Sequence, residues 1–157
     1  GPTKDAANLS NAHGISIDVT DPRGPLVWVP SRSQNQLKAF TLDGKYVDTL
    51  DLPGAFAGQL FFRGDKIYTA VCWSKDAKGK RLGQSGFLLV LDRVTKKVLS
   101  APGGNEPKYI DGKLQPLSQA QPIFKHGHDL FVDSAGDIYL GEWNADRRYP
   151  SKLTLVK

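Results

Sequence analysis

HGISIDVTDPRGPLVWVPSRSQNQLKAFTLDGKYVDTL, residues 13 to 50, contains four short runs of alternating apolar and polar residues. Gly, Pro, Asp, Asn or Ser separates each from the next. Alternation with a period of two over four to six residues is the pattern of half-buried β-strands, and these separators are the residues that tight turns favour. The stretch therefore predicts four consecutive antiparallel strands joined by turns.

The same pattern recurs downstream. HDLFVDSAGDIYLGEWNADRRYPSKLTLV, residues 128 to 156, matches the first three strands of the opening unit. Both units begin with His, any residue, an apolar residue, any residue, an apolar residue and Asp. In the first these are His13, Ile15, Ile17 and Asp18; in the last, His128, Leu130, Val132 and Asp133. A middle unit, residues 58 to 100, supplies GQLFFRGDKIYTAVCW and GFLLVLDRVTKKVLS around a Gly-containing loop at 76 to 86, with Gly58 or Gln59 at the position of the histidine. The segment 101 to 124, rich in Pro, Gly and Gln, is expected to form an ordered excursion across a face, since long loops in compact domains are usually functional or mobile. Residues 1 to 12 are a lead-in whose opening Gly-Pro reads as the scar of a tag-removing protease, so the lack of a leader says nothing about export.

Periodicity at helical spacing is nearly absent, and the chain is read as all-β. Units of roughly 40 residues with four short strands each are the signature of β-propeller blades. The units at 13–50, 58–100 and 128–157 make about three blades. A propeller closes with at least four, so further blades are expected from an N-terminal half or from a second copy of the chain.

Composition removes several function classes. Of 157 residues, 39% are hydrophobic and 24% charged, which suits a globular domain. No apolar run approaches the roughly 20 residues of a membrane-spanning helix. The formal charge of +5 raises the question of nucleic acid. Its densest basic cluster lies in the loop at 76 to 81 without interleaved aromatics, whereas phosphate tracking needs a continuous basic stripe; no nucleic-acid partner is expected. The single cysteine, Cys72, reads as a small buried hydrophobe. Nucleophile elbows, phosphate loops and His-Glu-x-x-His motifs are absent.

The opening and closing units resemble NHL repeats, and most closely the bacterial six-bladed propellers related to peptidyl-α-hydroxyglycine α-amidating lyase. The resemblance covers nearly all of residues 9 to 157 and implies the C-terminal three blades of six, in a protein residing in the periplasm or outside the cell. It further implies a zinc ion in the central channel, with His13 and His128 at two of its three histidine positions, and a calcium ion with Asp129 among its ligands. Arg32 falls at an arginine that contacts substrate, making it the candidate catalytic residue. The implied reaction is metal-dependent carbon–nitrogen lyase chemistry; the alternative is a non-catalytic propeller module that binds a peptide, glycan or protein. The third histidine, the catalytic tyrosine and a second arginine of that family have no counterpart in this chain.

Each candidate also has a plainer reading. A histidine at a strand opening can cap its strand, Asp129 can accept a turn hydrogen bond, and Arg32 can join two blades. Trp143 suits either the channel mouth or packing between blades. His126 lies outside the repeat register and is expected in solvent, while Asp18 and Asp133 are expected to shape turns.

Overall fold

A computed structural model describes residues 5–146 and 150–154. They form thirteen strands and no α-helix. The first sheet holds β1 (Ser16–Asp18), β2 (Leu26–Ser31), β3 (Gln36–Thr41) and β4 (Tyr46–Asp51), hydrogen-bonded in chain order. The second holds β5 (Ala55–Arg63), β6 (Lys66–Ser74), β7 (Phe87–Asp92) and β8 (Val98–Ser100) in the same order. A two-stranded hairpin, β9 (Tyr109–Ile110) with β10 (Lys113–Leu114), interrupts the chain before the third sheet. That sheet holds β11 (Gly127–Val132), β12 (Ile138–Glu142) and β13 (Ser151–Leu153). All pairings within the sheets are antiparallel between chain neighbours. Each sheet is thus a meander, and the chain has the blade-type β-propeller fold expected from its repeat.

The middle sheet buries both faces, which explains why FLLVLD in β7 is continuously apolar instead of alternating. Phe87, Leu89 and Leu91 join the core shared with Leu26, Trp28, Leu37 and Ala39 of the first sheet. Leu88 joins a second core with Ala70, Phe124, Leu130, Val132 and Leu140, against the third sheet. Each such leucine contributes about 1.5–3 kcal/mol relative to its exposed state. The far face of the first sheet is different: Ile15, Ile17 and Val19 are exposed. Across the strands Ile17 pairs with Val27, Val27 with Phe40 and Phe40 with Tyr46, so one apolar row runs over the whole sheet.

Two elements differ from expectation. Strand β5 begins at Ala55, four residues before the sequence pattern suggests. Ala55, Phe56, Ala57 and Gly58 are all buried, so no polar residue marks the alternation there. Asp18 shapes its turn by accepting from the Thr20 N–H at 3.0 Å, but it is also fully buried and paired with Arg93 at 2.5 Å. Lys96 bridges Asp18 at 3.5 Å and Asp21 at 3.2 Å, so this ion cluster ties the first sheet to the β7–β8 turn of the second. Asp133 does what its turn requires, accepting from Ala135 and Asp137 N–H groups.

The segment 101 to 124 is held down on the stretch that follows its hairpin. Leu117 is fully buried in the first core and its N–H donates to Pro53 O at 2.8 Å. The Gln119 amide nitrogen donates to Gly86 O at 2.9 Å and Phe124 O at 2.7 Å.

Candidate functional site

The inner strands β1, β5 and β11 lie side by side, and the site sits where they begin. His13 precedes β1, with its N–H donating to Pro30 O at 3.1 Å. The next residue, Gly14, has φ +92° and lies so close to Gln59 that a Cβ there would stand 2.7 Å from Gln59 Cβ. Only glycine satisfies both the left-handed backbone and that approach.

His128 occupies a β-bulge, between the pairs Gly127 with Glu142 and Asp129 with Gly141. The extra residue is out of ladder register, which re-aims its side chain. The two imidazoles meet edge to face, Nε2 to Nε2, at 2.8 Å. At that separation one ring nitrogen carries the hydrogen and the other offers its lone pair. Burial lowers the pKa of both rings, the Arg32 charge lowers it further, and for His13 the His128 ring adds to this; Asp129 opposes the shift in each. The pair is therefore neutral at pH 7, in the form that can ligate or accept a proton.

Arg32 follows β2 in a single 3-10 turn, Arg32–Gln34. It is only 3% exposed. Its Nε–H donates to Ala57 O at 3.2 Å, while Nη2 is buried with no hydrogen-bond partner among the described residues. Desolvation lowers its pKa, and no carboxylate among the described residues forms an ion pair with it. Beside the guanidinium, Gly58 lets β5 approach β11 closely because it has no side chain. A Cβ on Gly58 would stand 2.5 Å from His128 O and 3.5 Å from Arg32 Nη2.

Around this centre the ends of the second strands form a collar. Arg32 follows β2, Trp73 is the penultimate residue of β6 and Trp143 follows β12. Arg32 Cζ lies 5.6 Å from the centroid of Trp73, whose ring also meets Trp143 edge to face at 5.9 Å. Arg81, on the β6–β7 loop, stacks on Trp73 at 4.8 Å. The Cys72 thiol, pushed up to about 11 by burial, lies within electrostatic reach of Arg32, Arg81 and Glu142.

His126 is the clear correction: it is 7% exposed, not a solvent-facing loop residue. Its carbonyl accepts from the Trp143 N–H at 2.9 Å and so extends the β11–β12 ladder, while its ring packs on Trp73 and Trp143. Ring Nε2 accepts from the Gln84 N–H at 3.3 Å, whereas Nδ1 is buried without a partner among the described residues. The sequence reading passed over Trp73, Arg81 and Glu142. Its one available signal was the shared ending of the strands in VCW and GEW, each closing its unit's second strand.

The structure thus brings His13, His128 and Arg32 together. Asp129 is exposed but within electrostatic reach of both imidazoles, and its Oδ1 accepts the N–H of Leu130 at 2.8 Å. It borders an open hollow of about 410 Å³ with Gln59, Phe131 and Tyr139. Among the described residues, no group of three or more His, Cys, Asp or Glu side chains is arranged to hold a metal ion.

No protein family and no curated protein matches the chain. Among solved structures it is similar to virginiamycin B lyase from Staphylococcus aureus, a β-propeller, with 16% identity and a TM-score of 0.48. The alignment covers 96% of this chain and 44% of that one, so the chain spans less than half of that protein's length.

Proposed function

We propose that His13, His128 and Arg32 line the channel of a β-propeller that acts on a peptide-borne or small carboxylate, by zinc-dependent chemistry of the peptidyl-α-hydroxyglycine amidating type. One observation carries this reading. Two neutral imidazoles from the first and third blades converge at 2.8 Å beside a buried guanidinium with an unpartnered Nη2. An uncompensated buried cation is costly, and an anionic ligand group would offset that cost.

The residues fit a zinc ion in part. Zinc–nitrogen bonds of about 2.0–2.1 Å at a tetrahedral angle separate two ligand nitrogens by about 3.3 Å, so the rings need to part by roughly half an ångström. A zinc centre with one open position needs three protein ligands, and the third would come from a further blade. Additional blades would also cover the exposed Ile15, Ile17 and Val19. When bound, zinc supplies Lewis-acid polarisation of a substrate oxygen. Arg32 would pair with the substrate carboxylate and orient it. In the overall reaction the carbinolamine hydroxyl loses its proton, its oxygen forms the aldehyde of glyoxylate, the carbon–nitrogen bond breaks and the amide nitrogen takes up a proton.

A second reading is supported by the same contact. The two imidazoles satisfy each other without any ion, and the nearby Arg32 charge repels a cation. On this reading the propeller is a non-catalytic module that binds a carboxylate ligand. Zinc titration by calorimetry, with metal analysis and glyoxylate release from an N-acyl-α-hydroxyglycine, on the ring completed by the further blades, separates the two. The lyase reading expects zinc binding that is lost in His13→Ala and in His128→Ala. Carboxylate binding that depends on Arg32, with neither zinc uptake nor glyoxylate, would leave the binding module standing.

A further inference from the structure

Three buried polar atoms around the collar have no partner among the described residues: Arg32 Nη2, His126 Nδ1 and Glu142 Oε2. They differ in kind. Arg32 Nη2 is a charged donor. His126 accepts at Nε2 from Gln84, so its ring hydrogen sits on Nδ1 and makes that atom a donor. Glu142 accepts the backbone N–H groups of Lys125 and His126 at Oε1, which leaves Oε2 as an acceptor. A simple inorganic anion would satisfy only donors. A peptide terminus presents a carboxylate, an amide C=O and an amide N–H, and so matches two donors and one acceptor.

The aromatic wall adds a further preference. Trp143 is 49% exposed although it is one of the largest side chains in the chain. It meets Trp73 and His126 edge to face at 5.9 and 5.6 Å, and about half of its side chain stays open to solvent. From Arg32 the route passes Trp73 at 5.6 Å and continues to Trp143. An extended peptide advances about 3.3–3.6 Å per residue, so a carboxylate at Arg32 brings the preceding residue's side chain within reach of Trp143.

We infer that the collar of Trp73, Trp143, Arg81 and His126 is a specificity subsite for an aromatic residue that precedes the ligand's terminal carboxylate. This rests on the assignment of that carboxylate to Arg32. Arg81 stacks on Trp73 and holds the wall in place; Trp143 supplies the face on which the ligand's ring lies.

The test uses the full chain and two probes, N-acetyl-Phe-Gly and N-acetyl-Ala-Gly, titrated by calorimetry and by tryptophan fluorescence. The phenylalanine peptide is expected to bind about tenfold more tightly, which corresponds to about 1.4 kcal/mol. Trp143→Leu is expected to bring it down to the affinity of the alanine peptide, Trp143→Phe to keep most of the preference, and Arg32→Gln to weaken both peptides at least tenfold. Thermal unfolding of each variant confirms that it is folded. No aromatic preference, or one unchanged in Trp143→Leu, overturns the subsite while the carboxylate assignment stands. If Arg32→Gln leaves both affinities intact, the carboxylate assignment falls instead. Binding of neither peptide overturns the inference outright.

Discussion

Replacing Gly58 by alanine places a methyl group 2.5 Å from the backbone oxygen of His128 and 3.5 Å from Arg32 Nη2. Gly58 is not among the residues with positive φ, so the effect is steric and not a matter of backbone strain. A tolerable carbon–oxygen approach is about 3.3 Å or more, so β5 and β11 must separate locally by roughly 0.8 Å. The obstacle is a carbonyl in a paired strand, which cannot swing aside as a side chain would. Overpacking of this kind costs about 1–3 kcal/mol. The reduced freedom of the unfolded chain returns about 0.4–1 kcal/mol, leaving a net loss near 1–2 kcal/mol. For a chain of this length each kcal/mol lowers Tm by about 2–4 °C, so thermal unfolding followed by circular dichroism should report a drop of roughly 2–8 °C. The shift also moves His128 away from His13, which imidazole ¹H–¹⁵N correlations would detect as loss of the shared proton. A variant with Tm within about 1 °C of the parent and unchanged imidazole signals would refute the close approach of β5 and β11 on which the site depends.

Asp18→Asn leaves Arg93 without its buried counter-charge, while Lys96 keeps Asp21, and is expected to cost about 3 kcal/mol in urea unfolding. Burial alone would raise the Asp18 pKa, but the Arg93 side chain, the Thr20 N–H and Lys96 together hold it below its ordinary value. Because the folded value is the lower one, this stabilisation is present above the ordinary carboxylate range and is lost as pH falls through the folded value. The parent should therefore lose stability below about pH 4 more steeply than Asp18→Asn. Arg32→Met removes a buried charge that has no ion-pair partner, so it should raise Tm while abolishing carboxylate binding; a lower Tm would mean the guanidinium is structurally compensated. Leu117→Ala empties a fully buried position that anchors the segment 101 to 124 and should cost about 2.7–5 kcal/mol. Limited proteolysis should then cleave first near the β9–β10 hairpin, and a cut elsewhere would show that the segment is held by other contacts.

The strand pattern was legible because most strands have one wetter face, and alternation then survives in the sequence. Where both faces are covered the signal weakened. FLLVLD was still recognised from its length and its flanking turns, but AFAG was not, since small buried residues carry no alternation. The hairpin at 109 to 114 was too short to stand out within a Pro- and Gly-rich segment. Among the site residues, His13 and His128 were found because the repeat puts them at matching positions. Trp73 was missed although it ends its unit's second strand as Trp143 does, Arg81 lies on a loop with no counterpart in the other units, and the proximity of both to Arg32 arises only when three blades stand side by side.

His126 shows the limit most directly. In sequence it is one of two histidines flanking Gly127, and the repeat register favours His128 alone. In the fold, Phe124 anchors the returning chain in the second core, and the ladder with Trp143 then draws His126 under the collar. The sequence by itself determined the class of fold, the alternation of strands and turns and the two aligned histidines, because these depend on local periodicity and turn chemistry. Only the tertiary structure decided that the imidazoles touch and that Arg32 is buried with no carboxylate paired to it among the described residues. Those facts depend on how closely separate sheets approach, through a bulge at His128 and a missing side chain at Gly58.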